Sequence, residues 1–260
     1  MNLKTVCSIA LLHALSFQAG AAQKEFRTLT IALIGDSTVC NYPKESPKRG
    51  WGQLLGEFLA PGTKIVNEAK GGASSASFPA ENWRRVREAK PDFVFIQFGH
   101  NDMKKYDPKR YTDPGTTYRD ELKRFIRESR EVGATPVLVT PVSRRTFRKG
   151  QVTRELLPYA DAAKAVGLDE RVKVVDLNEE SRALFQALGA QGSERFTANK
   201  ILNPDAKRED RTHFTEMGAR EMARLVAAKL PEVDSRLAAA LATPPKGSTE
   251  PLEENGEKAR

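Results

Sequence analysis

This chain contains few of the residues that bind metals or form disulfides. Its 260 residues include two cysteines and three histidines, and Cys7 and His13 lie within the first 21 residues. The remaining Cys40, His100 and His213 would need several carboxylates to complete a zinc site, and one cysteine cannot form an internal disulfide. We therefore expect no metal, and a fold that is stabilised by its hydrophobic core.

Motifs for nucleotide cofactors are also missing. The sequence has neither a Gly-x-x-x-x-Gly-Lys-Ser/Thr phosphate loop nor a Gly-x-Gly-x-x-Gly turn, so we predict no cofactor. No segment of the body approaches the roughly 20 apolar residues that span a bilayer, so we expect no integral membrane segment. The net charge is +8, but the basic residues are scattered among acidic ones and form no dense run with aromatics. This pattern argues against nucleic-acid binding and is compatible with an acidic polysaccharide partner.

The first 21 residues have the composition of a secretory signal peptide. A positive start containing Lys4 precedes an apolar run over 6–17, and residues 19–21 supply the small residues that signal peptidase recognises. We predict cleavage near Ala21, which removes one lysine and leaves a net charge of +7. The mature protein is then secreted or periplasmic. A short buried helix is the alternative interpretation of this segment.

Apolar, strand-like runs alternate with helix-like segments through the body of the chain. Strands are predicted at 28–34, 64–66, 93–98, 136–140 and 172–177, and helices at 51–59, 82–90, 118–131, 159–166, 179–188 and 216–230. This alternation predicts one α/β domain over 22–242, in which helices cover both faces of a parallel sheet of about five strands. Residues 243–260 are rich in Pro, Gly, Glu and Lys, so we expect them to be disordered.

A polar motif, Gly35-Asp36-Ser37-Thr38, directly follows the first predicted strand. In this position Ser37 could be the nucleophile of an esterase, because free backbone N–H groups at a strand-to-helix turn stabilise negative charge. A polar turn or a helix cap is the alternative interpretation. The sequence contains no Gly-x-Ser-x-Gly motif, which argues against the nucleophile elbow of α/β-hydrolases.

A serine nucleophile needs a base, and two histidines remain after the predicted cleavage. His213 follows Asp210 by three residues. At this spacing the carboxylate can reach one imidazole nitrogen while the other faces Ser37, as a catalytic triad requires. The alternative for this motif is a helix cap. His100, at the end of the third strand, is interpreted as a structural or substrate-facing residue.

The candidate residues lie where strands end and before the last helix. Ser37, Gly72 and Asn101 follow three of the predicted strands, and Asp210 and His213 precede the last helix. Such loops meet at the carboxyl edge of a parallel sheet, where active sites form. The side chain of Asn101 and the backbone N–H of Gly72 are candidate oxyanion donors, although both residue types are also ordinary turn formers.

Four blocks of the sequence together resemble those of the SGNH (GDSL-type) hydrolases. They are Gly35-Asp36-Ser37, Gly72, Gly99-His100-Asn101-Asp102 and Asp210-Arg211-Thr212-His213. The runs at 35–39, 67–78, 97–102 and 212–219 are similar to the rhamnogalacturonan acetylesterase branch of that family. The resemblance spans roughly 29–230 and implies a flavodoxin-like, three-layer α/β/α sandwich without a metal.

The resemblance also implies roles for five of the matched residues. Ser37, His213 and Asp210 would form the triad, and the Ser37 and Gly72 N–H groups with the Asn101 side chain would form the oxyanion hole. Asp36 and His100 are candidate substrate-binding residues. The implied activity is removal of O-acetyl groups from an acetylated polysaccharide or oligosaccharide, with pectic rhamnogalacturonan the expected substrate. We expect the enzyme to be a monomer.

Other features leave the substrate and two further functions open. Ala73 and Ala76 stand where the family often carries basic residues, while the basic segment 144–154 could face an acidic glycan or be a solvated loop. Cys40 is expected to be a small core residue of the first helix rather than a reactive thiol. The alternative functions are a short-chain lipid or thioester hydrolase of the same superfamily, and a catalytically silent glycan-binding module.

Overall fold

The computed structural model describes residues 28–198 and 209–242. The predicted signal peptide (1–21) and the predicted disordered tail (243–260) lie outside the described residues. Within the described part of the chain, no helix is both long enough and apolar enough to cross a membrane.

The centre of the fold is a five-stranded parallel sheet. Its strands are β1 (Thr30–Gly35), β2 (Lys64–Asn67), β3 (Phe93–Gln97), β4 (Thr135–Val139) and β7 (Lys173–Val175). Their order across the sheet is β2-β1-β3-β4-β7, and every neighbouring pair is parallel. Two shorter strands, β5 (Phe147–Arg148) and β6 (Gln151–Val152), form a separate antiparallel hairpin.

Helices cover both faces of this sheet. They are α1 (Trp51–Leu54), α2 (Ala80–Glu88), α3 (Thr117–Glu131), α4 (Leu157–Asp169), α5 (Leu177–Gly192), α6 (Glu216–Val233) and α7 (Ser235–Ala239), with 3-10 turns at Leu55–Phe58 and Glu194–Phe196. Helices α2, α3 and α4 pack on one face, and α1, α5, α6 and α7 pack on the other.

Successive residues of each strand face opposite helix layers. In β1, Ile31 and Leu33 pack on the side of α1, α5 and α6, whereas Ala32 and Ile34 pack on the side of α2, α3 and α4. None of these four side chains is exposed. A sheet that is covered on both faces needs apolar residues at every strand position, which explains the continuous apolar runs in the sequence. The predicted three-layer α/β/α sandwich is therefore confirmed.

The structure differs from the sequence-based predictions in the first helix and in the basic segment. The predicted helix over 51–59 is one α-helical turn followed by a 3-10 turn that contains Gly56, a poor helix former. Cys40 is buried as expected, but it lies in the turn after β1 and not in a helix. The basic segment contains the β5–β6 hairpin, because Lys149 (φ 49°) and Gly150 (φ 77°) adopt the positive φ values of a two-residue type I′ turn.

Candidate active site

Ser37 lies in a tight turn at the carboxyl end of β1. The backbone N–H groups of Val39 and Cys40 donate to the carbonyl oxygen of Asp36 at 3.2 and 3.1 Å, so the chain folds back immediately after the strand. The Tyr42 hydroxyl donates to the carbonyl oxygen of Ser37 at 2.9 Å. The turn is therefore fixed on both sides of Ser37, whose side chain remains partly exposed.

The structure brings His213 to Ser37 across 176 residues of sequence. The His213 Nε2 atom lies 2.9 Å from the Ser37 Oγ atom, and its Nδ1 atom lies 2.8 Å from Asp210 Oδ2. Asp210 Oδ1 accepts the backbone N–H groups of Thr212 (3.1 Å) and His213 (3.0 Å). Thr215 then caps α6 by accepting the N–H of Gly218. The three side chains thus form a continuous hydrogen-bonded row from hydroxyl to carboxylate.

The carboxylate of Asp210 is ionised and also contacts Lys48. Lys48 Nζ lies 2.9 Å from Asp210 Oδ2, the oxygen that also contacts the imidazole. Partial burial raises the pKa of Asp210, but hydrogen bonds from His213 and from Lys48 outweigh this effect and hold the pKa well below its usual range. An ionised carboxylate accepts hydrogen bonds only, so it fixes the imidazole with its proton on Nδ1 and leaves Nε2 free to accept one.

The loop that carries His213 is anchored by residues distant in sequence. The His213 carbonyl oxygen accepts the N–H of Ala198 at 2.8 Å, and the neighbouring Phe214 carbonyl accepts the N–H of Arg49 at 3.0 Å. Arg145, which is 5% exposed, donates to Thr197 Oγ1 at 2.8 Å and forms a close ion pair with Glu209. Arg145 belongs to the basic segment, for which a solvated loop was one of the two predictions. That prediction is wrong for Arg145, because its buried guanidinium connects the basic segment to the loop that carries His213.

The loop that contains Gly72 passes beside Ser37, and Asn101 is hydrogen-bonded to that loop. Gly72 adopts φ +82°, a value that favours glycine, and a Cβ at Gly71 would lie 3.9 Å from that of Ser37. Asn101 Nδ2 donates to the carbonyl oxygen of Ala73 at 2.8 Å, which ties the two loops together. The backbone N–H groups of Ser37 and Gly72 donate to no group among the described residues. These two N–H groups and the second Nδ2 hydrogen of Asn101 have no acceptor among the described residues, as candidate oxyanion donors require.

The Asp102 carboxyl group is hydrogen-bonded to both of these loops. Its Oδ1 atom accepts the Ser75 N–H (2.9 Å), the Ser75 hydroxyl (2.5 Å) and the Thr112 hydroxyl (2.8 Å), and its Oδ2 atom accepts the Gly99 N–H (2.9 Å). The side chain is fully buried. Burial raises the pKa of Asp102 despite the hydrogen bonds from Ser75 and Thr112. The carboxyl group therefore links the segments that present Gly72 and Asn101.

Asp36 and His100 form a second acid–histidine pair, but in the protein interior. Their side chains are 0% and 3% exposed, and His100 Nδ1 lies 3.2 Å from Asp36 Oδ2. The other Asp36 oxygen accepts the N–H and the hydroxyl of Thr38, both at 2.8 Å. Burial raises the pKa of Asp36, yet the interactions with His100 and Thr38 outweigh it and lower the pKa. Direct contact of Asp36 with a polysaccharide is therefore excluded by its burial, and the pair instead supports the turn that carries Ser37.

The sequence-based predictions assigned no role to several residues around the site. Lys48 contacts Asp210, Lys104 Nζ donates to Asn101 Oδ1 at 2.6 Å, and Asp102 links the loops. Asp102 belongs to a matched block, and Lys104 follows Asn101 by three residues, which is the spacing of a single turn. In the structure the Lys104 N–H donates to the Asn101 carbonyl oxygen. Lys48 lies 162 residues from Asp210, and no local pattern points to that contact.

Comparison with known proteins identifies the family of this chain. The family model of the GDSL-like lipases and acylhydrolases matches residues 31–226. The chain belongs to the GDSL-like lipase/acylhydrolase family. It is therefore a member of a family of carboxylic ester hydrolases. The described residues contain no cluster of His, Cys, Asp and Glu that could hold a metal ion.

Two relatives from Bacillus subtilis cover most of the chain. The rhamnogalacturonan acetylesterase RhgT is 40% identical over 216 residues, which are 80% of this chain and 91% of that protein. The probable rhamnogalacturonan acetylesterase YesY is 39% identical over 206 residues, which are 78% of this chain and 93% of that protein. The resemblance to the rhamnogalacturonan acetylesterase branch is therefore confirmed at the level of sequence.

Solved structures share the same fold. The crystal structure of YxiM from Bacillus subtilis superimposes with a TM-score of 0.66 at 25% identity and covers 79% of this chain and 57% of that one. A variant of Axe2, an acetyl-xylooligosaccharide esterase from Geobacillus stearothermophilus, gives a TM-score of 0.57 at 20% identity and covers 77% of this chain and 93% of that one. At 20% identity the second likeness concerns the fold alone.

Proposed function

We propose that this GDSL-family enzyme is a serine esterase that removes O-acetyl groups from a polysaccharide, with rhamnogalacturonan as the substrate. The observation that carries the proposal is the row of hydrogen bonds from Ser37 through His213 to Asp210, at 2.9 and 2.8 Å. A hydroxyl, an imidazole and an ionised carboxylate in this order are the parts that nucleophilic ester hydrolysis requires.

In the first half-reaction Ser37 Oγ attacks the acetyl carbonyl carbon. His213 Nε2 accepts the hydroxyl proton, and Asp210 stabilises the imidazolium that forms. The C–O bond to the sugar then breaks, and His213 returns the proton to the departing sugar oxygen. The products of this step are a free sugar hydroxyl and an acetyl group esterified to Ser37.

In the second half-reaction water replaces the sugar. His213 takes a proton from water, the resulting hydroxide attacks the acetyl carbon, and Ser37 leaves with the proton that His213 returns. Acetate is released and the starting enzyme is restored. Each half-reaction passes through an oxyanion, which the N–H groups of Ser37 and Gly72 and the Asn101 amide would stabilise. Each such donor is typically worth about 3–4 kcal/mol of barrier.

The substrate class is supported by the relatives and by the charge around the site. RhgT and YesY carry the name rhamnogalacturonan acetylesterase. Beside the candidate oxyanion hole, Arg110 Nη1 lies 3.9 Å from the Cβ position of Gly72, and Arg144 donates to the His100 carbonyl at 3.5 Å. Cations at this edge of the sheet favour an acidic glycan by electrostatic attraction.

The decisive experiment replaces Ser37 with alanine. We expect wild-type protein to hydrolyse a neutral activated acetate ester, and Ser37→Ala to lose that activity while its circular dichroism spectrum stays unchanged. Ser235→Ala is the matched control, since this exposed serine of α7 lies outside the site. Retention of wild-type activity in Ser37→Ala would contradict the proposed nucleophile. An inactive wild type that a serine-reactive phosphonate does not label would favour the glycan-binding module.

The substrate is tested separately from the mechanism. Acetate release is measured from acetylated rhamnogalacturonan, acetylated xylan and acetylated monosaccharides, and acetyl and octanoyl esters are compared in the same assay. We expect rhamnogalacturonan to give the highest kcat/KM. Faster cleavage of octanoyl esters would favour the lipid or thioester hydrolase instead.

We further propose that the enzyme acts after export from the cell, as the predicted signal peptide implies. Expression of the full chain followed by N-terminal sequencing of the exported protein tests this proposal. A mature N-terminus near residue 22 is the expected result. Retention of the uncleaved chain inside the cell would contradict it.

A further inference from the structure

Asn101 is held at both ends of its side-chain amide. Its Nδ2 atom donates to the Ala73 carbonyl oxygen at 2.8 Å, and its Oδ1 atom accepts from Lys104 Nζ at 2.6 Å. If the amide were flipped, Oδ1 would face the carbonyl oxygen of Ala73 and the NH2 group would face the Lys104 ammonium. Both contacts would then be repulsive, because a carbonyl only accepts and an ammonium only donates. The two neighbours therefore select one orientation.

The same turn that presents Asn101 also presents Lys104. The Lys104 N–H donates to the Asn101 carbonyl oxygen at 3.2 Å, so the two residues sit at the ends of one hydrogen-bonded turn. The Ala73 contact uses one of the two hydrogens on Nδ2. The second hydrogen has no acceptor among the described residues and can donate to a bound oxyanion, which is one requirement for an oxyanion donor.

The ammonium of Lys104 lies in a partly buried, basic environment. Burial and the charges of Arg110 and Arg144 lower the pKa of Lys104, and the opposite effects of Asp36 and Asp107 are smaller. A positive charge on an amide oxygen draws electron density from the N–H bonds, which strengthens them as donors. Hydrogen bonds between charged and neutral groups are also stronger than neutral ones.

We propose that Lys104 is a positioning residue for the oxyanion hole, whose ammonium fixes and polarises the Asn101 amide. This inference rests on the proposed esterase function. It assigns Lys104 an effect on the chemical step that acts through Asn101, and not through contact with the sugar. Loss of Lys104 should therefore also lower kcat for a small neutral ester. If Lys104 only bound an acidic glycan, its loss would not change the hydrolysis of that ester.

The test combines single and double substitutions with a neutral acetate ester. We expect Asn101→Ala to lower kcat on the order of 100- to 1000-fold. Lys104→Met should lower kcat by roughly 10- to 100-fold with little change in KM, because the amide stays but loses its fixed orientation and its polarisation. Lys104→Arg should recover part of the loss. Lys105→Met is the matched control, since Lys105 is exposed and adjacent and contacts the Tyr111 ring instead.

A variant that carries both Lys104→Met and Asn101→Ala shows whether Lys104 acts through Asn101 or independently of it. If Lys104 acts through Asn101, adding Lys104→Met to Asn101→Ala should change kcat less than about twofold, because residues that act as one unit are not additive. The ratio of wild-type to Lys104→Met kcat should also shrink as the pH rises through the pKa of Lys104, since the charge is then lost. A purely structural role of Lys104 would produce neither the non-additivity in the double variant nor the pH dependence of the kcat ratio.

Three results would overturn the inference. They are wild-type kcat in Lys104→Met, a full multiplicative loss in the double variant, and a ratio of kcat values that does not change with pH. Failure of the proposed function looks different, because Ser37→Ala would then hydrolyse the same ester at the wild-type rate. If Ser37→Ala is inactive and Lys104→Met has the wild-type kcat, the proposed function stands and only the role of Lys104 is rejected.

Discussion

Replacement of Asp102 with asparagine should destabilise the protein while preserving the volume of the buried side chain. The Oδ1 atom accepts three hydrogen bonds from Ser75 and Thr112, and an asparagine oxygen in this place could keep them. The Oδ2 atom accepts the Gly99 N–H at 2.9 Å. In the variant an NH2 group would face that N–H, so two donors would meet and one buried N–H would lose its partner.

The expected magnitude follows from these four bonds. An unpaired buried N–H costs about 1–3 kcal/mol, and the three remaining bonds each weaken when the acceptor loses its charge. Relief of the burial cost of the carboxylate, which raises the pKa of Asp102, opposes this loss. We expect a net decrease of about 2–4 kcal/mol in the free energy of unfolding. This corresponds to a fall in Tm of roughly 5–15 °C for a domain of this size.

Urea unfolding followed by fluorescence and circular dichroism measures this change. The matched control is Asp120→Asn, the same substitution at an exposed position in the first turn of α3, with an expected cost below about 1 kcal/mol. Because Asp102 links the loops of Gly72 and Asn101, we also expect the kcat of the folded variant to fall about tenfold. An unfolding midpoint and slope equal to those of the wild type would refute the argument.

Three further predictions concern the site and its supports. Asp210→Asn should keep the fold but lower kcat on the order of 10³–10⁴-fold, because the amide favours the wrong imidazole tautomer. Gly218→Ala should cost about 3 kcal/mol of stability, since a Cβ there would lie 1.9 Å from the Phe196 carbonyl oxygen. Burial raises the pKa of Cys40 to about 11, so at pH 8 about one thiol in a thousand is ionised, and iodoacetamide should label native protein very slowly.

Each of these predictions has its own measurement and control. Steady-state kinetics with the neutral ester tests Asp210→Asn, and a kcat within tenfold of wild type would contradict it. For Gly218→Ala the control is Gly56→Ala, whose Cβ would meet nothing closer than 4.0 Å. Equal unfolding midpoints for the two variants would show that the overlap is relieved at no cost. For Cys40 the comparison is labelling in urea, and equal rates in native and unfolded protein would contradict its burial.

The sequence was sufficient to predict the fold class and those contacts of the candidate site that join residues close together in the chain. Strands β1 and β3 were recognisable because a sheet covered on both faces needs apolar residues throughout. The Asp210–His213 contact spans three residues, so a single turn determines it. The residues at the carboxyl edge could be grouped because parallel strands end together, and family resemblance supplied their roles.

Tertiary structure decided the contacts that join distant loops. Lys48 meets Asp210, and Arg145 supports the same loop, only because the sheet brings separate loops to one edge. Asp36 was a candidate substrate-binding residue and His100 was interpreted as structural or substrate-facing, and packing buries both side chains. Neither residue type carries a sequence signal for burial. These contacts depend on the positions of several loops at once.

The local sequence therefore determined which residues form turns and strands and which side chains carry reactive groups. It could not fix the 2.9 Å contact between Ser37 and His213, which joins positions 176 residues apart. Nor could it reveal that Lys104 and Ala73 together orient Asn101, because hydrogen bonds depend on tenths of an ångström and on angle. Only the packed sheet, with its loops tied by Asp102 and Arg145, places the donors and acceptors at those distances.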